Sequence, residues 1–245
     1  MRCSSSRLCF AASAALALAG CTDLASADLK TAGMSATITV VADGSGQTTA
    51  TAQLNVDDSS TDFVTLSNGD TLFTTVDGDS QTMTENDNLF NEVTYSTTFS
   101  GKDSAGTEYT IGLRRLNDTS APDSTCTLPA AFTITAPTSG ATFSRSGSDI
   151  DVNLATSGAS DPVSYSLSGD CGDSAFSQGP ESAGSSGSFT IARGTIDTGS
   201  DIGAATCNMT LTITLASVGN LDPGYGGGGS IQCEQTRTVT FTSTP

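Results

Sequence analysis

The chain has 245 residues, with 26 acidic side chains against 9 basic ones, no His, no Trp and a formal net charge of −17. That balance excludes nucleic acid as a partner, because phosphate binding needs clustered Lys and Arg. The lack of His excludes Ser-His-Asp triads, Cys-His dyads and His-ligated metals.

Arg2 and Arg7 make a basic start, and residues 8–20 are small or apolar and carry no charge. This run is shorter than the ~20 residues that span a bilayer, and it has the parts of an export signal. It ends in Leu18-Ala19-Gly20-Cys21, which resembles the lipobox of bacterial lipoproteins. The resemblance implies cleavage after residue 20, so that 1–20 is a signal peptide, and a diacylglycerol on the Cys21 thiol. The membrane is then a partner through that lipid. Thr22 follows Cys21, with Asp only at 23. Inner-membrane retention in such lipoproteins favours Asp directly after the Cys, so the resemblance implies the outer membrane of a diderm cell. Residues 1–20 hold no acid, so their removal takes the charge from −17 to −19. Such a surface suits solubility first, and cations or basic peptides second.

Residues 21–33 read as the lipidated Cys and a short acidic tether without periodicity. Strands begin at Ala36, where Ala36, Ile38 and Val40 alternate with Thr37, Thr39 and Val41. Asp43-Gly44-Ser45-Gly46 is a turn. Ala50, Ala52, Leu54 and Val56 then share one face of a strand over 48–56. Shorter strands follow at 63–66, 71–76, 81–84, 93–99 and 109–113, separated by turns such as Asn68-Gly69-Asp70 and Asp77-Gly78-Asp79. Residues 34–116 therefore read as a first β-sandwich domain.

Residues 117–128 carry turn formers and Pro122 and read as a linker. A second β unit, 129–245, follows with strands at 132–136, 150–154, 163–167, 189–191, 209–215 and 239–241. No stretch has an apolar stripe long enough for a helix. The fold class predicted is all-β: two tandem β-sandwich domains after the signal segment. The opening Phe132-Thr133-Ile134-Thr135-Ala136-Pro137, followed by Gly140-Ala141-Thr142-Phe143, resembles the start of bacterial immunoglobulin-like modules. The Trp often buried in such domains is absent, and Tyr165 takes its place.

Of seven Cys, Cys3 and Cys9 leave with the signal and Cys21 takes the lipid. Cys126, Cys171, Cys207 and Cys233 remain, an even number in an exported chain, which implies two disulfides. Four Cys allow three pairings. Immunoglobulin-like topology implies Cys171–Cys207, where one strand ends beside the start of its neighbour, and Cys126–Cys233, ahead of the first strand and at the start of the last. A four-Cys metal site would need close Cys pairs, which the spacing lacks.

No phosphate-binding loop is present. Gly226-Gly227-Gly228-Gly229 lacks the Lys and the strand–helix context, and reads as a flexible hairpin tip. Calcium is the one ligand with candidates, since Asp on turns supplies hard oxygen donors: Asp57, Asp58 and Asp62, and Asp77 with Asp79. Asp is also a common turn residue for its own sake. No cofactor is otherwise expected, and no enzymatic activity. The reading is a membrane-anchored envelope lipoprotein with a structural, adhesive or protein-binding role toward an unknown protein. Segments 219–230 and 170–186 are the expected exposed loops. The alternatives are a secreted hydrolase built on paired carboxylates and a calcium-binding module.

Overall fold

Alternating apolar and Thr/Ser residues over short stretches put one face of each strand inward, and the result is a structure almost wholly of strands. It is a computed structural model that describes residues 24–58, 61–87, 92–156, 161–184, 187–196 and 205–245. Cys21 and residues 1–20, the stretch expected to be a signal peptide, lie outside the described residues. The strands of the first half are β1 (Leu24–Ala25), β2 (Ser35–Ala42), β3 (Gln47–Asn55), β4 (Val64–Thr65), β5 (Thr71–Val76), β6 (Asp79–Thr82), β7 (Thr84–Asp87), β8 (Val93–Ser100), β9 (Glu108–Arg114) and β10 (Ala121–Thr127). Those of the second half are β11 (Phe132–Ala136), β12 (Thr142–Ser144), β13 (Ile150–Thr156), β14 (Val163–Cys171), β15 (Ser174–Gly184), β16 (Ser188–Ile191), β17 (Cys207–Val218) and β18 (Gly229–Thr244). Two single-turn 3-10 helices, Ser26–Asp28 and Thr31–Gly33, are the only helical turns among the described residues.

Two hydrophobic cores form. In the first, Ile38, Ala52 and Tyr95 of β2, β3 and β8 meet Leu72, Ile111 and Leu113 of the sheet β10-β9-β5-β6. In the second, Leu167, Leu211 and Phe241 of β14, β17 and β18 meet Phe132, Val152 and Ile191 of the sheet β11-β13-β16. One nine-stranded sheet runs through both cores in the order β15-β14-β17-β18-β2-β3-β8-β7, with β12 added beside β18.

The join between the two halves is the long hairpin β17–β18. Strand β18 pairs with β17 along its length, from Val218↔Gln232 to Cys207↔Ser243. Its first part also pairs in parallel with β2, from Gly229↔Ala36 to Gln235↔Ala42. Its last part pairs in parallel with β12. Ile231 and Cys233 therefore belong to the first core, and Phe241 to the second. At the changeover Arg237 donates to the Ala42 carbonyl (3.1 Å) and lies 5.3 Å from the centroid of the Phe132 ring.

Two expected connections turn out to be structure. Residues 121–127, read as linker, form β10, which pairs with β9 from Ala121↔Leu113 to Thr127↔Glu108. Its inward residues are Ala121, Ser124 and Cys126, too small and polar to make an apolar period. Pro122 is tolerated because β10 is an edge strand. The tether is also not free over its described part. Leu24 and Ala25 pair in parallel with Val64 and Thr65, and Ser26 and Thr31 are buried.

Candidate functional site

A densely bonded polar cluster docks residues 24–31 to the first core. Arg115 follows β9 and its side chain is 2 % exposed. Its Nη2 donates to the carbonyls of Ser26 (2.7 Å) and Leu29 (3.0 Å), and its Nη1 donates to Thr31 Oγ1 (3.1 Å). Its Nε lies 2.6 Å from Asp70 Oδ2, an ion pair rather than an aligned hydrogen bond. A planar guanidinium suits this work, because its fork presents several fixed donors to carbonyls and a carboxylate at once.

Asp70 is placed by the turn before β5. Asn68 and Gly69 take left-handed backbone angles, φ 52° and 83°, which Asn and Gly tolerate best. The Asp70 carboxylate accepts from Ser26 Oγ (2.8 Å) and from the Leu116 N–H (3.0 Å). The Ser67 N–H donates to Ser26 Oγ (3.0 Å). On the other side, Asp118 Oδ2 accepts the Thr31 N–H at 2.6 Å. That bond, then the Thr119 backbone, holds the Asp118 carboxyl below the usual carboxylate range. No sequence period marks this cluster. The one available signal is the pair Arg114-Arg115 at the end of a strand in a chain very short of basic residues.

The two disulfides have different jobs. Cys126–Cys233 spans the first core, from β10 in one sheet to β18 in the other, with Cα atoms 5.6 Å apart. Cys171–Cys207 joins directly opposed residues of neighbouring strands β14 and β17. Cys126 is thus inside the first core rather than ahead of the second unit. Buried Arg145 donates to Cys207 Sγ (3.4 Å) and to the Ala205 carbonyl.

The segment expected as a flexible, exposed tip is docked. The Asn220 and Thr125 backbones exchange hydrogen bonds of 2.8 and 2.9 Å. The Asp222 carboxylate accepts from the Asp123 N–H (2.8 Å) and the Gly224 N–H (2.7 Å). Tyr225 is buried, and burial pushes its hydroxyl far above the usual tyrosine range. The glycines are there for room. A Cβ on Gly227 would stand 2.7 Å from the Met34 carbonyl oxygen, and one on Gly226 would meet the Ala32 carbonyl. By contrast β15, within 170–186, is an edge strand with mostly exposed side chains.

The calcium candidates separate. Asp77 and Asp79 both face Lys102, at 3.1 and 3.3 Å, and their hydrogen bonds raise the lysine's pKa. Asp77 sits at φ 48° with Gly78 at 85°, a pair of left-handed residues suited to a tight hairpin. Of Asp57, Asp58 and Asp62, Asp58 meets the tip of the β17–β18 hairpin, where its N–H donates to the Gly227 carbonyl (3.2 Å), while the Asp62 carbonyl accepts from the Val56 N–H (3.1 Å). Among the described residues no three His, Cys, Asp or Glu side chains come together in a way that could hold a metal ion. No helix of the described residues is long and apolar enough to cross a membrane.

No family model matches the chain, and no curated protein matches it. Solved structures do match. The FN1–FN3 domains of chicken CNTN1 align with 91% of this chain and 68% of that one, at 11% identity and a TM-score of 0.28. A superposition that loose carries no argument.

Proposed function

We propose that the chain is a lipid-anchored envelope protein whose disulfide-stapled β body has a structural, adhesive or protein-binding role. The observation that carries this reading is the N-terminal run: a basic start, an uncharged apolar stretch and Leu18-Ala19-Gly20-Cys21 in succession. The body supports it in two ways. Its two disulfides suit an oxidising compartment outside the cytoplasm. Its buried and half-buried charged side chains fasten elements together: Arg115, Asp70 and Asp118 all hold backbone. The acidic surface keeps the body soluble beside the membrane and repels nucleic acid.

The anchor is a diacylglycerol on Cys21, and the membrane is the outer one in a diderm cell. Two or three acyl chains hold firmly, since each buried methylene contributes ~0.8 kcal/mol. The test is growth of a diderm host with an alkyne-bearing palmitate analogue. Wild-type chain should take the label and sediment with outer membranes, and Cys21→Ser should lose both. An unlabelled wild-type chain recovered in the soluble fraction would reject the reading.

A further inference from the structure

The way residues 24–31 are docked says which end of the body lies against the bilayer. A free stretch over 22–33 would let the body wander, since a flexible linker of a dozen residues reaches roughly 20 Å on average. The structure leaves no such freedom beyond residue 24. The Leu24 N–H donates to the Phe63 carbonyl (2.9 Å), β1 pairs with β4, and Arg115 holds the Ser26 and Leu29 carbonyls. Only three peptide steps separate Cys21 from Leu24, and three extended residues reach about 11 Å at most.

The geometry around Leu24 identifies the end concerned. Because β1 and β4 are parallel, the chain arrives at Leu24 from the side of Phe63. Phe63 bridges to Asn55, and Asn55 pairs with Ser35. Ser35 follows Met34, whose carbonyl accepts from the Gly227 N–H (2.9 Å), and the Gly227 carbonyl accepts from Asp58. One end of the first core therefore gathers Leu24, Asp58, Phe63 and the tip of the β17–β18 hairpin. Leu116, 64% exposed, is tied to the same docking cluster through its N–H to Asp70. From Gly229, beside this end, β18 runs 16 residues to Thr244, about 50 Å at the usual rise of a strand.

We propose that this end, carrying Leu24, Asp58, Phe63 and Gly227, is the bilayer-facing surface, with Leu24 held within about 11 Å of the lipidated Cys21 and the Cys171–Cys207 end of the hairpin presented outward. The inference rests on lipidation at Cys21. Salt limits the repulsion between the acidic residues here and anionic headgroups to short range, because the Debye length is about 8 Å at physiological ionic strength.

The chain has no Trp, so single tryptophans report position without background. Two lipidated full-length variants, Asp58→Trp and Asp173→Trp, would be reconstituted in phosphatidylethanolamine–phosphatidylglycerol vesicles containing a dansyl-headgroup lipid. Both replaced residues are exposed, and matching melting temperatures would verify folding. Flotation is read first. Chain that does not float rejects the lipid anchor, and the inference with it. Floating chain should show energy transfer at least several-fold stronger from position 58 than from 173. Inserting ten Gly/Ser residues between Thr22 and Asp23 should then cut the position-58 transfer several-fold. Floating chain with equal transfer from both positions, or with position-58 transfer unmoved by the insertion, overturns the proposal while leaving the anchor standing.

Discussion

Cys126 and Cys233 stand 107 residues apart in sequence and 5.6 Å apart between Cα atoms. The bond ties the edge strand β10 to the last strand of the chain across the first core. A crosslink that closes a longer loop removes more unfolded-state entropy. The 107-residue loop corresponds to ~5 kcal/mol, against ~4 kcal/mol for the 36-residue loop of Cys171–Cys207, as upper estimates. Replacing both Cys126 and Cys233 by Ala should therefore lower the urea midpoint more than replacing Cys171 and Cys207. The opposite order would contradict the loop argument.

Arg115→Met should be among the most damaging single changes. It strands the Asp70 carboxylate without its cation and removes the guanidinium donor from the Leu29 carbonyl and from the Ser26 carbonyl, which keeps only the Leu29 N–H. Breaking a buried pair from one side costs about 3–5 kcal/mol. Hydrogen exchange in residues 24–33 should rise well before global unfolding. Arg115→Lys should rescue little, because an ammonium lacks the fork that reaches both carbonyls and the carboxylate. Full protection of residues 24–33 in Arg115→Met would show that the docking rests elsewhere.

Residues 24–128 without the rest of the chain should not fold. That fragment lacks β18, so β2 loses one of its two neighbours and the first core loses Tyr225, Ile231 and Cys233. Circular dichroism and a thermal melt of the fragment check this. A cooperative transition would mean that the shared strand is dispensable and that the first half is an autonomous unit.

Much of the β pattern is legible in the sequence because the side chains that face inward are apolar. Ala36, Ile38 and Val40, or Met209, Leu211 and Ile213, declare their strands by alternation. Elements that face inward with polar or small groups do not. β10 buries Ser124 and Cys126, and the 24–31 segment buries Ser26 and Thr31. Both are held by partners far along the chain, such as Arg115, 89 residues from Ser26. The docking of the Gly226–Gly229 hairpin tip is not legible for a related reason: glycine marks both a loose tip and a close backbone approach, and only the neighbouring Ala32 and Met34 carbonyls distinguish them.

That close approach has its own consequence. Gly227→Ala should cost about 1–3 kcal/mol, as overpacking of a filled site does, because the new methyl meets the Met34 carbonyl at 2.7 Å. Gly33→Ala, with nothing within 4 Å of the added atom, should stay within about 0.5 kcal/mol of wild type. Thermal melts of the pair give the comparison. Equal stabilities would mean that the hairpin tip yields freely.

In the proposed function the body is mounted on a lipid at Cys21, a few residues from its first docked strand. Intact mass spectrometry of the chain extracted from membranes, followed by analysis of its N-terminal peptide, tests it most directly. The expected product is a mature chain that begins at Cys21, with the mass of a diacylglyceryl group on that residue. A mature N-terminus elsewhere, or an unmodified Cys21, would contradict it.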